Sequence, residues 1–456
     1  MRVYNNLTRQ LEDFEPINAP QVTIYSCGPT VYDVSHIGHA RSTITWDLLY
    51  RYLQYKQYDV KWIRNITNID DKIVARAKEY GISADKLSRI YTYEFWNDMA
   101  ALNVAWPDQE PRATDYLPEM IKFIEELIDK GFAYAANGDV YFRVSKHKDY
   151  GQLKGMSLED LRDGMSRVDA NDLKEDQLDF ALWKSFPDDE SSFDSPWGMG
   201  RPGWHLECST MIRALLERYG VGETLDIHAG GDDLLHPHHE NECAQSECLS
   251  GKPLAKYWMH NGMVVINGSK MSKSEGNYFT IKDLLAKYKA NTIRYFCLST
   301  HYKKQVNFSD EALEAAEKGF DALLSSLRGA AATKQSSLDC FAEARNDRLI
   351  QEFNAAMDDD LNSAKALALL FENKSEVETV AYLLGVLGFD LSQKSSADNP
   401  KISQALDNTI NLLLNMRDEA RKNKDFDTSD KIRNSLTEAG ISIKDHRDRE
   451  SEWTLS

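Results

Sequence analysis

The sequence predicts an α/β protein: a doubly wound parallel sheet that carries an insertion and is followed by a C-terminal helical bundle. An apolar run at residues 22–25 precedes helical spacing of apolar residues over 37–55, and a second apolar run follows at 60–64. Strands alternating with helices of this length form parallel sheets with crossover helices. Beyond Asp310 the strand patterns end and amphipathic helical spacing continues, which predicts a bundle.

An insertion is predicted between the two halves of the sheet. Helical spacing over 120–128 is followed by one apolar run at 140–142 and then by a polar, loop-rich stretch that ends near Trp197. The α/β pattern resumes with a helix over 208–219, a strand at 225–228 and a helix after Pro237. We therefore expect five regions: the first half of the α/β domain (1–110), the insertion (111–202), the second half (203–310), the helical bundle (311–395) and a small C-terminal region (396–456).

Composition indicates an ordinary globular protein. The chain has 456 residues, of which 42% are hydrophobic and 28% charged. No leader-like start and no stretch long enough to span a bilayer is present, and six cysteines are too few for a disulfide scaffold, so we expect a cytoplasmic protein without membrane contact. A net charge of -18 repels nucleic acid at long range, so any RNA partner must be held by local basic surface.

Two short motifs indicate ATP chemistry. His36-Ile37-Gly38-His39 lies between the first predicted strand and helix, where unpaired N–H groups and the helix dipole suit a phosphate. Gly38 lets a base or sugar approach the backbone. The second motif, Lys270-Met271-Ser272-Lys273-Ser274, follows an Asn-Gly pair typical of a hairpin turn. Its two lysines are expected on a loop, where they supply positive charge to a polyphosphate in its transition state.

A metal site is also predicted, with its ligands left open by spacing alone. Two pairs on the helix expected after Pro237 lie four residues apart and share a face: His238 with Glu242, and His239 with Cys243. Cys27 ends the first strand and faces the ligand crevice, whereas Cys208 also fits an apolar helix stripe. Mixed sulfur, imidazole and carboxylate ligands suit zinc best.

Longer segments resemble the class I aminoacyl-tRNA synthetases, and among them the cysteinyl-tRNA synthetases. The resemblance covers most of the chain. It is carried by both motifs and by CGPTVYD (27–33), RNITNIDDKI (64–73), DFALWK (179–184), GRPGWHLECS (200–209) and PHHENE (237–242).

The resemblance implies a Rossmann-type catalytic domain and a small C-terminal anticodon-binding region. The implied reaction is the ATP-dependent activation of L-cysteine to cysteinyl-adenylate, followed by its transfer to the 3′-terminal adenosine of tRNA. Mg²⁺ would accompany ATP, and the enzyme is expected to be a monomer. One zinc ion per chain is implied, with the ligands Cys27, Cys208, His238 and Glu242. Zinc binds a thiolate in preference to a neutral hydroxyl, so cysteine is separated from serine without an editing domain.

The resemblance also assigns roles within the site. His36 and His39 bind and polarise the phosphates, and Lys270 and Lys273 stabilise charge on the phosphoryl oxygens. ATP binding is further assigned to Gly38, Gly231 and Asp233, with the last two forming a ribose-binding turn. Substrate binding is assigned to Gly28, Thr67 and Trp204.

One departure and three alternatives remain. His236 stands where the family commonly has an aromatic residue, so an additional imidazole is expected near the zinc or in solvent. The nearest alternative is a related ATP-dependent ligase that joins cysteine to an amino sugar, from which the helical region after Asp310 distinguishes a synthetase. A nucleotidyltransferase would not need the four metal ligands. A non-catalytic zinc-binding RNA module would not need the lysines.

Overall fold

The computed structural model describes residues 1–163, 173–187, 189–266, 268–270, 278–333 and 346–391, together with parts of 413–455. The chain divides into two compact units, Met1–Asp390 and Leu391–Ser456. The five regions expected from the sequence are a finer division, and their boundaries stay predictions.

The first unit contains thirteen described strands and thirteen described α-helices. The strands are β1 (Arg2–Asn5), β2 (Gln10–Asp13), β3 (Gln21–Ser26), β4 (Asp59–Arg64), β5 (Ala133–Ala136), β6 (Asp139–Phe142), β7 (Phe180–Ser185), β8 (Gly200–Pro202), β9 (Leu225–Gly231), β10 (Ala255–Asn261), β11 (Val264–Ile266), β12 (Ser269–Lys270) and β13 (Val306–Phe308). The helices are α1 (Ile37–Tyr55), α2 (Asp71–Tyr80), α3 (Ala84–Ala101), α4 (Leu117–Asp129), α5 (Leu158–Asp163), α6 (Trp204–Tyr219), α7 (Glu240–Ser250), α8 (Ile281–Lys287), α9 (Ala290–Leu298), α10 (Asp310–Thr333), α11 (Asp347–Met357), α12 (Ser363–Glu372) and α13 (Val377–Val386).

A four-stranded parallel sheet positions the site. Its order is β10-β9-β3-β4, so strands far apart in sequence become neighbours. β9 is buried along its whole length, as expected of a central strand of a parallel sheet. Ser26 of β3 pairs with Ala229 of β9 and with Arg64 of β4, so the carboxyl ends of the three strands lie side by side. Ligands bind at this edge in open α/β sheets.

Helix α1 matches its predicted bounds. Its buried residues include Ile37, Ala40, Ile44 and Leu48, whose spacing of three or four places them on one face. Deeper along the helix, the Asp47 carboxylate accepts from Nη1 of Arg294 on α9 at 2.7 Å, with both side chains essentially inaccessible. Arg294 also donates to the carbonyl of Leu387, just after α13. This buried pair joins α1 to the helices that follow the sheet.

The insertion differs from its sequence-based description. Residues 133–202 contain an antiparallel sheet of order β5-β6-β7-β8, of which only the β6 segment was predicted as an apolar run. β5 and β6 are joined by Asn137-Gly138, whose φ angles of +51° and +89° form a hairpin turn, so this pair had a local signal in the sequence. β7 pairs with β6 and β8 across longer separations, which a single sequence indicates weakly.

β11 and β12 form an antiparallel hairpin where the sequence predicts one. Ile266 pairs with Ser269, and Gly268 has φ of +79°, a left-handed conformation that glycine adopts without strain, whereas Asn267 lies outside the described residues. β11 also pairs in parallel with β13.

The second unit contains α14 (Phe426–Glu438), β14 (Ile441–Lys444) and β15 (Glu452–Leu455). β14 and β15 form an antiparallel hairpin, against which α14 packs. A small apolar cluster, formed by Leu413, Leu414, Ile432, Leu436 and Ile443, holds these elements together. Among the helices of the described residues, none has the length and apolar character needed to cross a membrane.

Candidate active site and metal centre

The two histidines at the start of α1 form a reciprocal cap. Nδ1 of His36 accepts from the N–H of Gly38 at 3.0 Å, and Nδ1 of His39 accepts from the N–H of His36 at 3.1 Å. An imidazole nitrogen that accepts carries no proton, so a neutral ring holds its proton on Nε2. Burial lowers the pKa of His39 to about 4, which keeps this ring neutral at pH 7. The cap therefore places the ring proton of each neutral histidine on Nε2, which makes that atom a hydrogen-bond donor.

The segment after the lysine motif is bound to this turn. The N–H of Ile37 donates to the carbonyl of Phe279 at 3.1 Å, and the N–H of Ile281 donates to that of Ser35 at 3.0 Å. The ring of Tyr278 meets that of His36 edge-on, with centroids 5.3 Å apart. The lysine motif therefore leads directly to the start of α1.

The lysines themselves are only partly placed. Lys270 ends β12, on the hairpin strand that the sequence predicted to precede a loop. Residues 271–277, with Lys273, lie outside the described residues, so the role of both lysines stays a prediction.

The glycine turn after β9 lies at the carboxyl end of this strand, on the same edge of the parallel sheet. Gly231 is the last residue of β9, and the side chain of Asp233 lies against it: a Cβ at Gly231 would be 2.5 Å from Oδ1 of Asp233. Asp233 is exposed. Its carboxylate is therefore accessible beside the crevice, as ribose binding would require.

The four side chains implied as zinc ligands come together. Sγ of Cys27 lies 3.9 Å from Sγ of Cys208, which in turn lies 3.7 Å from Nε2 of His238. Oε1 of Glu242 is 2.8 Å from that nitrogen and 3.7 Å from Sγ of Cys27. All four donor atoms lie within 4.8 Å of one another, and three of the residues are buried.

A second set of donors shares the same centre. Cys27 and Glu242 also cluster with His228 and His239 within 4.8 Å. Nε2 of His239 is 3.2 Å from Sγ of Cys27, and Nε2 of His228 is 2.8 Å from Oε2 of Glu242. The sequence singled out His239 only as a partner of Cys243, and it gave no signal for His228, which lies on an apolar strand.

The ionisable groups of this centre shift one another's pKa values. Burial opposes ionisation of each group, but the Glu242 carboxylate raises the pKa of His238 to about 10. Burial likewise opposes the Glu242 anion, yet the charges of His238 and His228 lower its pKa to about 2. Burial and the neighbouring Cys208 raise the pKa of the Cys27 thiol, whereas that of Cys208 falls to about 6 despite its burial. Two thiols this close ionise together only if a cation is shared between them, which fits a metal ion.

Further aromatic rings surround these donors. The indole of Trp204 stacks on the ring of His238, with centroids 4.1 Å apart and planes 18° apart. Nδ1 of His238 is 3.0 Å from Nδ1 of His205. Nδ1 of His239 is 2.8 Å from Nε2 of His260. Imidazoles that bind metals are commonly oriented through their second ring nitrogen in this way.

The helix expected from Pro237 begins later. Residues Leu235–His239 form a π-type turn in which His236 is extended (φ -143°, ψ 134°), and α7 starts at Glu240. His239 and Cys243 do not form a ligand pair, because their side chains have different partners: Nε2 of His239 lies 3.2 Å from Sγ of Cys27, whereas Sγ of Cys243 accepts from Gln152 at 3.3 Å. His236 belongs to neither donor cluster among the described residues and lies beside the ring of Tyr150.

The substrate-binding residues predicted by resemblance border the same crevice. Thr67 is buried, and its N–H donates to the carbonyl of Pro29 at 3.1 Å. Pro29 follows Cys27 closely in the sequence. Trp204 is 36% exposed. Gly28 has a packing role as well, since a Cβ there would lie 1.7 Å from the carbonyl oxygen of Asn65. The assignment of substrate contacts to these residues stays a prediction.

Comparisons with known proteins identify the family of each part of the chain. Residues 13–318 match the model of the tRNA synthetases class I (C) catalytic domain. Residues 352–418 match a DALR domain, and residues 403–453 match the cysteinyl-tRNA ligase anticodon binding domain. The fold resembles methionyl-tRNA synthetase of Mycobacterium tuberculosis, with a TM-score of 0.60 at 17% identity over 83% of this chain and 86% of that chain. The predicted α/β fold class is thereby confirmed.

Curated relatives match the whole chain. A cysteine–tRNA ligase of Clostridioides difficile is 44% identical over 98% of both chains. Another, from Gloeothece citriformis, is 43% identical over 100% of both. The catalytic-domain match spans more than half of the chain, and these identities extend over nearly all of it. The chain therefore belongs to the cysteine–tRNA ligase family of class I aminoacyl-tRNA synthetases.

Proposed function

We propose that the protein activates L-cysteine with ATP and transfers it to the 3′-terminal adenosine of a cysteine-accepting tRNA. The observation that carries this proposal is the cluster of cysteine, histidine and glutamate donors at the same sheet edge as the capped histidines. Cys27 directly follows β3 and His36 is the N-cap of α1, so both lie in the segment that joins this strand to this helix. The match of residues 403–453 to an anticodon-binding domain favours tRNA over an amino sugar as acceptor.

In the proposed first step, the cysteine carboxylate attacks the α-phosphate of ATP and pyrophosphate leaves. Nε2–H groups of His36 and His39 donate to phosphate oxygens, since their Nδ1 atoms are occupied by the cap. Lys270 and Lys273 add positive charge as the transition state forms, and Gly38, Gly231 and Asp233 bind the nucleoside. Mg²⁺ accompanies ATP. Removing one such preorganised donor typically costs about 10²- to 10³-fold in rate.

The centre is proposed to hold one zinc ion through Cys27, Cys208, His238 and Glu242. When bound, the ion would favour the thiolate of cysteine over the hydroxyl of serine. The shared centre leaves a second ligand set with His228 and His239 in place of Cys208 and His238. X-ray absorption distinguishes the two: we expect two protein sulfur ligands per zinc, and a single sulfur would favour the second set. His238→Ala should lose zinc, whereas His239→Ala should retain it.

The reaction is tested by cysteine-dependent ATP–pyrophosphate exchange, followed by acylation of bulk tRNA. We expect both, with serine at least about 100-fold poorer than cysteine. The alternative ligase would be supported if pyrophosphate exchange occurs, tRNA is not acylated, and an added amino-sugar acceptor is consumed. Absence of exchange would overturn the proposal.

The partners proposed are ATP, L-cysteine and tRNA, and the protein is proposed to act as a monomer in the cytoplasm. Equilibrium sedimentation of the full chain with and without tRNA would reveal any dimer.

A further inference from the structure

A cavity of about 610 Å³ lies at the amino end of the parallel sheet, away from the candidate active site. Helices α4, α6 and α7 line it, together with the segments that precede β9 and β10. These segments contribute Glu223 and Leu254, whereas the active site borders the carboxyl ends of the same strands. Pockets of this volume bind small organic molecules in other proteins. The cavity is therefore a second candidate site within the unit Met1–Asp390.

The inner wall of the cavity is apolar except for one hydroxyl. Its apolar side chains are at most 6% exposed, and they are Phe123, Ile212, Leu216, Leu249 and Leu254. Ser246 also lines the cavity and is 8% exposed, and its Oγ has no hydrogen-bond partner among the described residues. A buried hydroxyl without a partner is unfavourable. A ligand with one polar atom in an apolar body would supply the missing hydrogen bond.

Three helix ends give the cavity a negative potential. α4, α6 and α7 end at Asp129, Tyr219 and Ser250, and residues at or next to these ends line the cavity. The C-terminal end of a helix carries a partial negative charge from its unpaired carbonyl groups. Nζ of Lys130 donates to one carbonyl near the end of α7, that of Leu249, at 2.6 Å. The field of the helix ends favours a cationic ligand and disfavours an anionic one.

The charged side chains at the rim of the cavity do not remove this bias. The carboxylate of Glu126 accepts from Nη1 of Arg213 at 2.9 Å, so these two charges offset each other. Glu223 is likewise paired with Lys252, at 2.5 Å. Each of these cations thus has a partner, as has the lysine that follows α4. Glu217 also lines the cavity and is exposed, and its carboxylate has no ion pair or hydrogen bond with any other described residue.

We propose that this cavity binds an amphipathic organic cation, with one ammonium group on a largely apolar body. The body contacts the inner wall and forms one hydrogen bond with Ser246. The ammonium group lies at the rim, near Glu217 and the helix ends. The inference goes beyond the proposed function, because none of these groups belongs to the proposed metal, ATP or cysteine sites.

Three probes that share one apolar body and differ in charge test the proposal. Tryptamine joins an indole ring to an ammonium group, tryptophol carries a hydroxyl in its place, and indole-3-propionate carries a carboxylate. Each is titrated into the zinc-loaded full chain, and binding is followed by the methyl NMR signals of isoleucine. We expect tryptamine to bind with a Kd on the order of 0.1 to 1 mM, which is ordinary for a ligand of this size. Tryptophol should bind about two- to fivefold more weakly, and indole-3-propionate more weakly still.

The NMR signals also locate the probe. The δ-methyl signal of Ile212, in the inner wall, should shift, whereas that of Ile293, buried on α9, should not. Addition of cysteine or of ATP should leave the affinity for tryptamine unchanged, because the proposed active site lies at the other end of the sheet. Displacement by either would place tryptamine in the active site and would overturn the proposal.

Two variants separate the polar contacts. Glu217→Gln alters an exposed side chain and should fold normally. It should weaken tryptamine about two- to fivefold and leave tryptophol unchanged. Its matched control is Glu119→Gln, which alters an exposed glutamate of α4 outside the cavity and should change neither affinity. Ser246→Ala removes one buried oxygen and should weaken all three probes by about two- to tenfold.

Several results would overturn the proposal. Equal affinities of the unaltered protein for the three probes would refute the selection of a cation. Unchanged affinity for tryptamine in both variants would eliminate both proposed polar contacts. If the signal of Ile212 stays in place at ten times the expected Kd, tryptamine does not enter the cavity and the site is refuted directly.

Discussion

At the scale of single residues, the two histidines of the first motif have two separable tasks. Their Nδ1 atoms cap α1 through the N–H groups of His36 and Gly38, and their Nε2 atoms carry the ring protons. A motif usually described by its chemistry is thus also part of the local folding of the helix start. Substitutions can separate the two contributions, because an asparagine oxygen can replace Nδ1 but not Nε2.

His39→Asn should keep the cap and lose the phosphate donor. We expect a midpoint of unfolding within a few degrees of the unaltered protein, with pyrophosphate exchange slowed about 10²- to 10³-fold. His39→Ala loses both functions and should be less stable than His39→Asn by about 1 kcal/mol. Denaturant unfolding and exchange kinetics check the pair. Equal stability of the two variants would contradict the capping role.

The pKa of Asp98, on α3, predicts that the stability of the protein depends on pH. Burial, with the charge of Glu94 adding to it, raises the pKa of this carboxyl to about 7, compared with 3.8 for the ordinary group. The folded state therefore holds a proton that the unfolded chain releases near pH 4. This bound proton contributes its full stabilisation below the pKa of the unfolded chain, and the contribution is lost as the pH rises through the higher pKa of the folded protein.

Asp98→Asn removes that dependence. The variant should gain stability over the unaltered protein between pH 5 and pH 8, by on the order of 2 kcal/mol, because the asparagine never has to ionise. Urea unfolding across this range measures the difference. A constant difference at all pH values would show that Asp98 does not titrate as its burial requires.

At the scale of elements, α1 extends from the catalytic turn to the helices beyond the sheet. Its first residue follows the capped histidine, and its middle holds Asp47 against Arg294 of α9. Breaking a buried ion pair leaves one charge without compensation. Breaking an ion pair at the surface costs less, because water screens the charge that is left without its partner.

Asp47→Ala should lower the free energy of unfolding by about 3 to 5 kcal/mol. The matched control is Asp321→Ala, which breaks an ion pair with Lys289 whose side chains are 42% and 62% exposed. That change should cost less than about 1 kcal/mol. Denaturant titration of both variants makes the comparison. Similar losses in the two would mean that Arg294 finds another partner.

The helices and strands also show which parts of the fold could be predicted from the sequence alone. The bounds of α1 follow from its apolar spacing, and β3, β4 and β9 from their short apolar runs, because each of these signals is local. In the sheet β5-β6-β7-β8, the Asn137-Gly138 turn was a local signal for the β5-β6 hairpin that the prediction missed, whereas β7 and β8 pair across longer separations. At the metal centre, spacing alone left two pairs open, His238 with Glu242 and His239 with Cys243. Only tertiary contacts decide between them, because Cys243 lies against Gln152 of the insertion. The second donor set was not predicted because His228 belongs to an apolar strand.

At the scale of the whole molecule, the chain separates amino-acid activation from tRNA recognition. The parallel sheet and both motifs lie in the unit Met1–Asp390. The anticodon-binding match, 403–453, lies in the unit Leu391–Ser456. A compact unit with its own core can fold without the rest of the chain.

A chain ended at Asp390 should therefore fold and keep cysteine-dependent pyrophosphate exchange within about threefold, if activation needs only the first unit. Its kcat/KM for tRNA should fall at least about 100-fold, because anticodon contacts are removed. Steady-state kinetics with cysteine and then with tRNA measure the two steps. Loss of exchange in the shortened chain would show that the second unit supports the active site.

The stacking of Trp204 on His238 has a spectroscopic consequence. Imidazole rings quench the emission of a stacked indole, and more strongly when they are protonated. Binding of zinc deprotonates His238, so metal uptake should brighten Trp204 against the background of the other tryptophans, nine in all with Trp204. Trp204→Phe would isolate its contribution by difference. The crevice thus contains an optical reporter of its own occupancy, which can follow metal and substrate binding in real time without any added label.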